Sequence, residues 1–117
     1  MLVEDNKVFR EALELLFDLR PEIDVVAMFD NGTTAIENVR EHRPDVVLMD
    51  YRLPGLDGAQ ATRAILDAYP ETAVVCLTAS VSGREAQAIR DAGAVACLTK
   101  DEELDEIIAA IHRAANR

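Results

Sequence analysis

The chain has no apolar run approaching the ~20 residues a membrane-spanning helix needs, and its first residues lack the basic-then-apolar order of a signal peptide. The expected compartment is the cytoplasm, with no membrane partner. Positive charge is also scarce: 12 Lys and Arg stand against 22 Asp and Glu, a formal net charge of -10. Nucleic acids and anionic membranes both call for a positive field, so neither is expected to bind this segment, whereas a cationic ligand or a basic partner fits. Cysteine is limited to Cys76 and Cys97, each within a short apolar run. That scarcity excludes a small secreted fold built on disulfides, and the pair reads as two buried thiols packing as small hydrophobes. Internal repeats, low-complexity tracts and linkers are absent.

What is present is a globular composition, 50% hydrophobic over 117 residues, enough for one domain to close a single core. The organising stretch is Val46-Val47-Leu48-Met49-Asp50-Tyr51-Arg52-Leu53-Pro54-Gly55-Leu56-Asp57-Gly58. Its opening apolar run, bounded by Pro44 and Asp45 before and a Pro-Gly turn after, reads as a strand buried on both faces. Asp50 stands where the run stops. Its carboxylate is therefore expected at the rim of a sheet, within reach of a ligand and kept ionised by water.

Met1-Leu2-Val3 reads as the end of a first strand, followed by the acidic turn Glu4-Asp5-Asn6. Three residues are few for a strand, which leaves two readings, missing upstream residues or a naturally short start. Helical spacing of Val8, Phe9, Ala12, Leu13, Leu15, Leu16 and Leu19 predicts a helix over 7–19, capped by Asn6 or Asp5 and closed by Pro21. Residues 23–29 are β-branched and apolar with one acid, Asp24, which predicts an edge strand. Asp30-Asn31-Gly32-Thr33 is turn and cap chemistry leading into a helix that stops before Pro44. A helix over 58–69 ends at Pro70, a fourth strand over 73–77 ends on Thr78, and Ala79-Ser80-Val81-Ser82 opens a helix that Gly93 terminates, with Ser80 the expected cap. A fifth strand over 94–98 leads to Thr99 and Lys100, and the last helix spans 102–115. Strands alternating with helices in this way predict an α/β fold, a parallel sheet with helices on both faces. In such a sheet Glu4, Asp5, Asp50, Thr78 and Lys100 gather along one edge.

Three carboxylates about 5 Å apart repel one another by roughly 3 kcal/mol per pair at an effective dielectric near 20, so a cation belongs among them. Hard oxygen donors select Mg²⁺ or a similar ion, with coordination positions left for water and phosphate. A carboxylate can itself accept a phosphoryl group. The oxygens of that group need charge and hydrogen bonds, which Lys100 and Thr78 can supply.

Glu4-Asp5, the run from Asp50 to Gly55, Leu77-Thr78-Ala79-Ser80 and Leu98-Thr99-Lys100 together resemble the receiver domain of two-component response regulators, over the whole chain. The resemblance implies a flavodoxin-like, doubly wound five-stranded sheet in the order 2-1-3-4-5, with 1–117 a receiver domain without its output domain. It implies that Asp50 accepts a phosphoryl group from a histidine kinase, and that Asp5, Asp50, the Arg52 backbone carbonyl and, mostly through water, Glu4 hold Mg²⁺. Thr78 would hydrogen-bond the phosphoryl oxygen and Lys100 would ion-pair with it. Such a protein is a signalling phosphoacceptor, not an enzyme, catalysing only its own phosphoryl transfer and loss. Phosphorylation would draw Thr78 and the loop after the fourth strand, biasing the surface of the fourth helix, fifth strand and fifth helix and permitting a homodimer.

Two positions depart from the pattern. Cys97 occupies the place, three before the lysine, where many receivers carry an aromatic switch residue, and Asp101 follows Lys100 where many carry proline. Lysine followed by a polar residue resembles receivers joined to LuxR-type helix-turn-helix domains, which implies transcriptional output and DNA contact only through that domain. Four other readings compete. A hydrolase with an Asp nucleophile would usually have a second acid where Arg52 stands. A nucleotide or flavin module would need a phosphate cradle where Glu4 and Asp5 stand. A degenerate receiver would act only as a docking platform, and Cys76 with Cys97 could form a redox switch.

Overall fold

The computed structural model describes residues 1–79 and 83–116. Strands β1 (Leu2–Val3), β2 (Met28–Phe29), β3 (Val46–Met49), β4 (Ala73–Thr78) and β5 (Ala96–Thr99) alternate with helices α1 (Lys7–Asp18), α2 (Gly32–His42), α3 (Gly58–Ala68), α4 (Gly83–Asp91) and α5 (Leu104–Ala115). The strands form one sheet in the order β2-β1-β3-β4-β5, every neighbouring pair parallel. This is the expected doubly wound architecture. Because no strand reverses, all five end at the same edge of the sheet.

Alternation along the strands divides the core into two layers. Val3, Val47, Met49, Val74 and Cys76 face one way, packing with Ala35 and Val39 of α2, Ala61 and Ile65 of α3 and Ile89 of α4. Leu2, Leu48 and Leu77 face the other way, against Leu13 and Phe17 of α1 and Ile107 and Ile108 of α5. Every residue of β3 and β4 is buried, which is why those segments read as unbroken apolar runs.

Caps set the helix starts. The Asn6 side chain accepts from the Phe9 N–H at 3.0 Å, Asn31 from Thr34 at 2.8 Å, and Asp57 and Gln60 form a reciprocal capping box. Helix α4 ends at Gly93, whose φ of 114° suits glycine alone and lets the Ala94 N–H reach the Ile89 carbonyl at 3.1 Å. The expected opening of that helix at residues 80–82, with Ser80 as its cap, lies outside the described residues.

Two segments depart from the expectations. The second strand occupies its expected edge, but its ladder is confined to Leu2↔Met28 and Val3↔Phe29. Residues 23–27 supply Ile23 and Val25 to the α1 layer and Ala27 to the other without forming a strand of their own. Helix α1 spreads its apolar residues around more of its circumference than the sheet can cover. Leu13 and Phe17, four apart, are buried, whereas Val8 (79%), Leu15 (67%) and Leu19 (77%) remain exposed.

Candidate functional site

The edge where the strands end carries the chemistry. Glu4 follows β1, its N–H bonded to the Phe29 carbonyl of β2, and Asp50 follows β3, its N–H bonded to the Val3 carbonyl, each at 3.0 Å. These ladder bonds fix both acids side by side. Lys100 follows β5, its N–H held by the Thr78 carbonyl at 2.8 Å, and its ammonium returns across the sheet end to Glu4 Oε1 at 2.5 Å and Asp50 Oδ2 at 3.1 Å. Residues separated by nearly the whole chain thus share one ionic cluster. Asp5 completes it: Glu4, Asp5 and Asp50 each present a carboxylate oxygen, all within 4.8 Å of one another.

Glu4 is 2% exposed and Asp50 5%, while Asp5 is open to solvent. The rim position expected for Asp50 holds, but its side chain is buried, so its immediate charge partner is the Lys100 ammonium, not bulk water. Burial pushes the Glu4 carboxyl above its ordinary range, and the nearby Asp50 charge adds to this. Lys100 and the Asn6 N–H, which donates to Oε2 at 3.0 Å, pull it back. Burial works against the Lys100 charge, but Glu4 and Asp50 together outweigh it and hold Lys100 above the ordinary lysine value.

The donor set fits a hard divalent cation. Each carboxylate pair within 4.8 Å repels by at least about 3.5 kcal/mol at an effective dielectric near 20. One ammonium cannot neutralise three carboxylates, and the donors are all oxygen. An ion here would therefore relieve repulsion already built into the fold.

Thr78, the last residue of β4, is buried at the same edge, in register with Thr99 of β5. The Arg52 N–H points to Asp50 Oδ1 at 3.4 Å, whereas its guanidinium turns away to Glu85 of α4, with Nη2 at 3.1 Å and Nε at 3.2 Å from Oε1. Gly58 brings the start of α3 against this turn: its N–H donates to the Tyr51 carbonyl at 2.7 Å, and a Cβ there would lie 2.2 Å from the Asp50 carbonyl oxygen. Only glycine permits that approach.

Three contacts were not legible as site features in the sequence. The Phe9 ring lies 4.8 Å from the Lys100 ammonium, Arg10 donates to the Glu4 carbonyl at 2.7 Å, and Glu85 holds Arg52. Phe9 carried only a helical-periodicity signal, and Arg10 and Glu85 are ordinary helix-surface residues by pattern. His42 packs edge-on against Phe29, and His112 is exposed; neither joins the cluster.

A doubly wound sheet with an acid cluster and a lysine at its strand ends defines a receiver-type module. The family description "Response regulator receiver domain" matches residues 1–112, and the chain belongs to that family, whose members are two-component signalling domains. Among curated relatives it is 38% identical over 112 residues to the transcriptional regulatory protein LnrK of Bacillus subtilis, covering 95% of this chain and 50% of LnrK. It is 39% identical over 104 residues to a protein-glutamate methylesterase/protein-glutamine glutaminase of Nitrosospira multiformis, covering 86% of this chain and 29% of that protein. The chain thus spans half or less of these relatives. A LuxR-family two-component response regulator from Aurantimonas sp. superposes with a TM-score of 0.92 at 33% identity, covering 99% of this chain and 83% of that one.

Proposed function

We propose that this receiver accepts a phosphoryl group on Asp50 from the phosphohistidine of a histidine kinase, with a bound divalent cation, and passes the change to an output. The observation that carries this reading is the convergence of Asp50, Glu4, Asp5 and Lys100 at one sheet edge, with the Lys100 ammonium 3.1 Å from Asp50 Oδ2.

An Asp50 oxygen forms the new P–O bond as the donor's P–N bond breaks and the imidazole leaves. Lys100 already lies on Asp50 Oδ2 and supplies positive charge to the incoming oxygens. Thr78 offers a hydroxyl at the adjacent strand end. Glu4, Asp5, Asp50 and the Arg52 carbonyl would hold Mg²⁺, which when bound offsets the negative charge of acceptor and donor together. The Phe9 ring and the Glu4 carboxylate keep the Lys100 ammonium on the site instead of in water.

The domain acts as a phosphoacceptor and turns over only its own phosphoryl group. Both transcriptional and enzymatic names occur among its relatives; the LuxR-family likeness favours transcription, through a DNA-binding domain joined to the receiver. A phosphorylation-dependent homodimer and a cytoplasmic setting belong to the same reading. Among the described residues no helix is long and apolar enough to cross a membrane.

Intact-mass analysis after incubation with acetyl phosphate, with and without Mg²⁺, tests this reading. A single Mg²⁺-dependent phosphoryl adduct that disappears in Asp50→Asn is the expected result. A folded parent that takes up no phosphoryl group would instead make the domain a phosphorylation-independent docking module, the reading that Cys97 in the aromatic position favours.

A further inference from the structure

Cys76 and Cys97 stand directly opposite each other on β4 and β5. Neighbouring strands lie about 4.8 Å apart, inside the ~4.4–6.8 Å Cα separation that a disulfide spans. Opposed residues of a parallel pair project to the same face, and both thiols pack into the core layer under α4 that contains Ile89.

The two differ in a way that sets an order of reaction. Cys97 is partly exposed; the hydrogen bond from Cys76 and the positive charge of Arg90 bring its thiol down to about 7 against the opposing effect of burial. Cys76 is fully buried and pushed well above the ordinary thiol range, first by that same hydrogen bond and then by desolvation. An accessible thiolate beside a buried partner thiol is the arrangement of an attacking and a resolving cysteine.

We propose that Cys76 and Cys97 form a cross-strand dithiol site that a hydroperoxide oxidises to an intramolecular disulfide. The Cys97 thiolate attacks the terminal oxygen of the hydroperoxide, the O–O bond breaks, and the leaving alkoxide takes a proton to become an alcohol or water. Cys97 is then a sulfenic acid. The Cys76 sulfur attacks the Cys97 sulfur, the S–S bond forms as the S–O bond breaks, and hydroxide leaves as water with the Cys76 proton. Both sulfurs are oxidised and one peroxide is reduced. The resulting bond would tie β4 to β5 two residues before Thr78 and three before Lys100, a location independent of whether Asp50 is phosphorylated.

The experiment exposes the reduced full chain, the Cys97→Ser variant and the Cys76→Ala variant to hydrogen peroxide, with folding checked by circular dichroism. Free-thiol counts, intact mass and non-reducing electrophoresis are then read. The parent is expected to lose both thiols while staying monomeric, its mass falling by two hydrogen atoms, and dithiothreitol should restore both. Cys97→Ser should lose its remaining thiol more than about tenfold more slowly. Cys76→Ala should yield a dimedone-trappable sulfenic acid at Cys97. A parent that keeps its thiols, gains oxygen atoms, or links only between chains would overturn the proposal. Should Cys76→Ala not fold, peptide mapping of the oxidised parent decides, because the Cys76–Cys97 linked peptide is either present or absent.

Discussion

The centre of the sheet and its β1/β2 edge meet at one site but are built differently. β3 and β4 contribute four and six residues, all buried, whereas β1 and β2 contribute two each. Asp50 and Thr78 belong to the ends of the long buried strands; Glu4 and Asp5 follow β1, which is equally buried but only two residues long. Apolar burial at the centre anchors Asp50, and the short strand β1 sets Glu4 and Asp5 beside it. Ladder bonds from the Glu4 N–H to the Phe29 carbonyl and from the Asp50 N–H to the Val3 carbonyl are enough to bring the two into register.

Truncating the same side chain in each region should expose that asymmetry most strongly. Met49→Ala, at a fully buried position of β3, should cost about 3 kcal/mol, because the cavity left there cannot collapse, and Met28→Ala, at a half-buried position of β2, about 1 kcal/mol. Urea denaturation of both variants reads the difference directly, and equal losses would show the edge to be as critical as the centre.

A smaller effect should separate the charged edge from the apolar centre by pH. Because burial first, and the Asp50 charge with it, raise Glu4 in the folded protein, its protonated form is favoured by folding. That contribution is complete below the ordinary glutamate value and is lost as pH rises through the folded one. Metal-free Glu4→Gln should therefore gain stability relative to the parent as pH rises through the folded Glu4 value, whereas Met49→Ala should differ from the parent by a constant amount. A parent-to-variant gap for Glu4→Gln that does not move with pH would remove the charged-edge account.

The smallest effect belongs to the bridge between the deep strand and α4. Arg52→Ala removes the pairing with Glu85, but the Arg52 side chain is 72% exposed, so the unfolding free energy should change by less than about 0.5 kcal/mol. A loss several times larger would mean that Arg52 holds α4 in place.

Much of this was legible because the signals were local. The apolar run ending on Asp50 announced a buried strand, Asn31 announced a helix start, and Gly93 announced a helix end, whereas the Asp57–Gln60 capping box emerged only in the structure. Residues 23–29 promised a longer strand than exists, since β-branched residues favour extended backbone but only a neighbour supplies a ladder. Helix α1 offered more apolar positions than one face can bury, and the apolar face read from periodicity left out Phe17, which is buried, while including Leu15 and Leu19, which are exposed.

By itself the sequence determined the order of strands and helices, the edge at which the acids, Thr78 and Lys100 would gather, and the hard-oxygen character of the site, because turn residues, periodicity and donor chemistry are properties of short segments. The tertiary structure alone decided that Asp50 is buried against Lys100, that the Arg52 guanidinium leaves the site for Glu85, that Phe9 covers the lysine, and that Cys76 lies directly across from Cys97. Each of those depends on strand register and on which helix face meets the sheet, and packing between distant segments sets both.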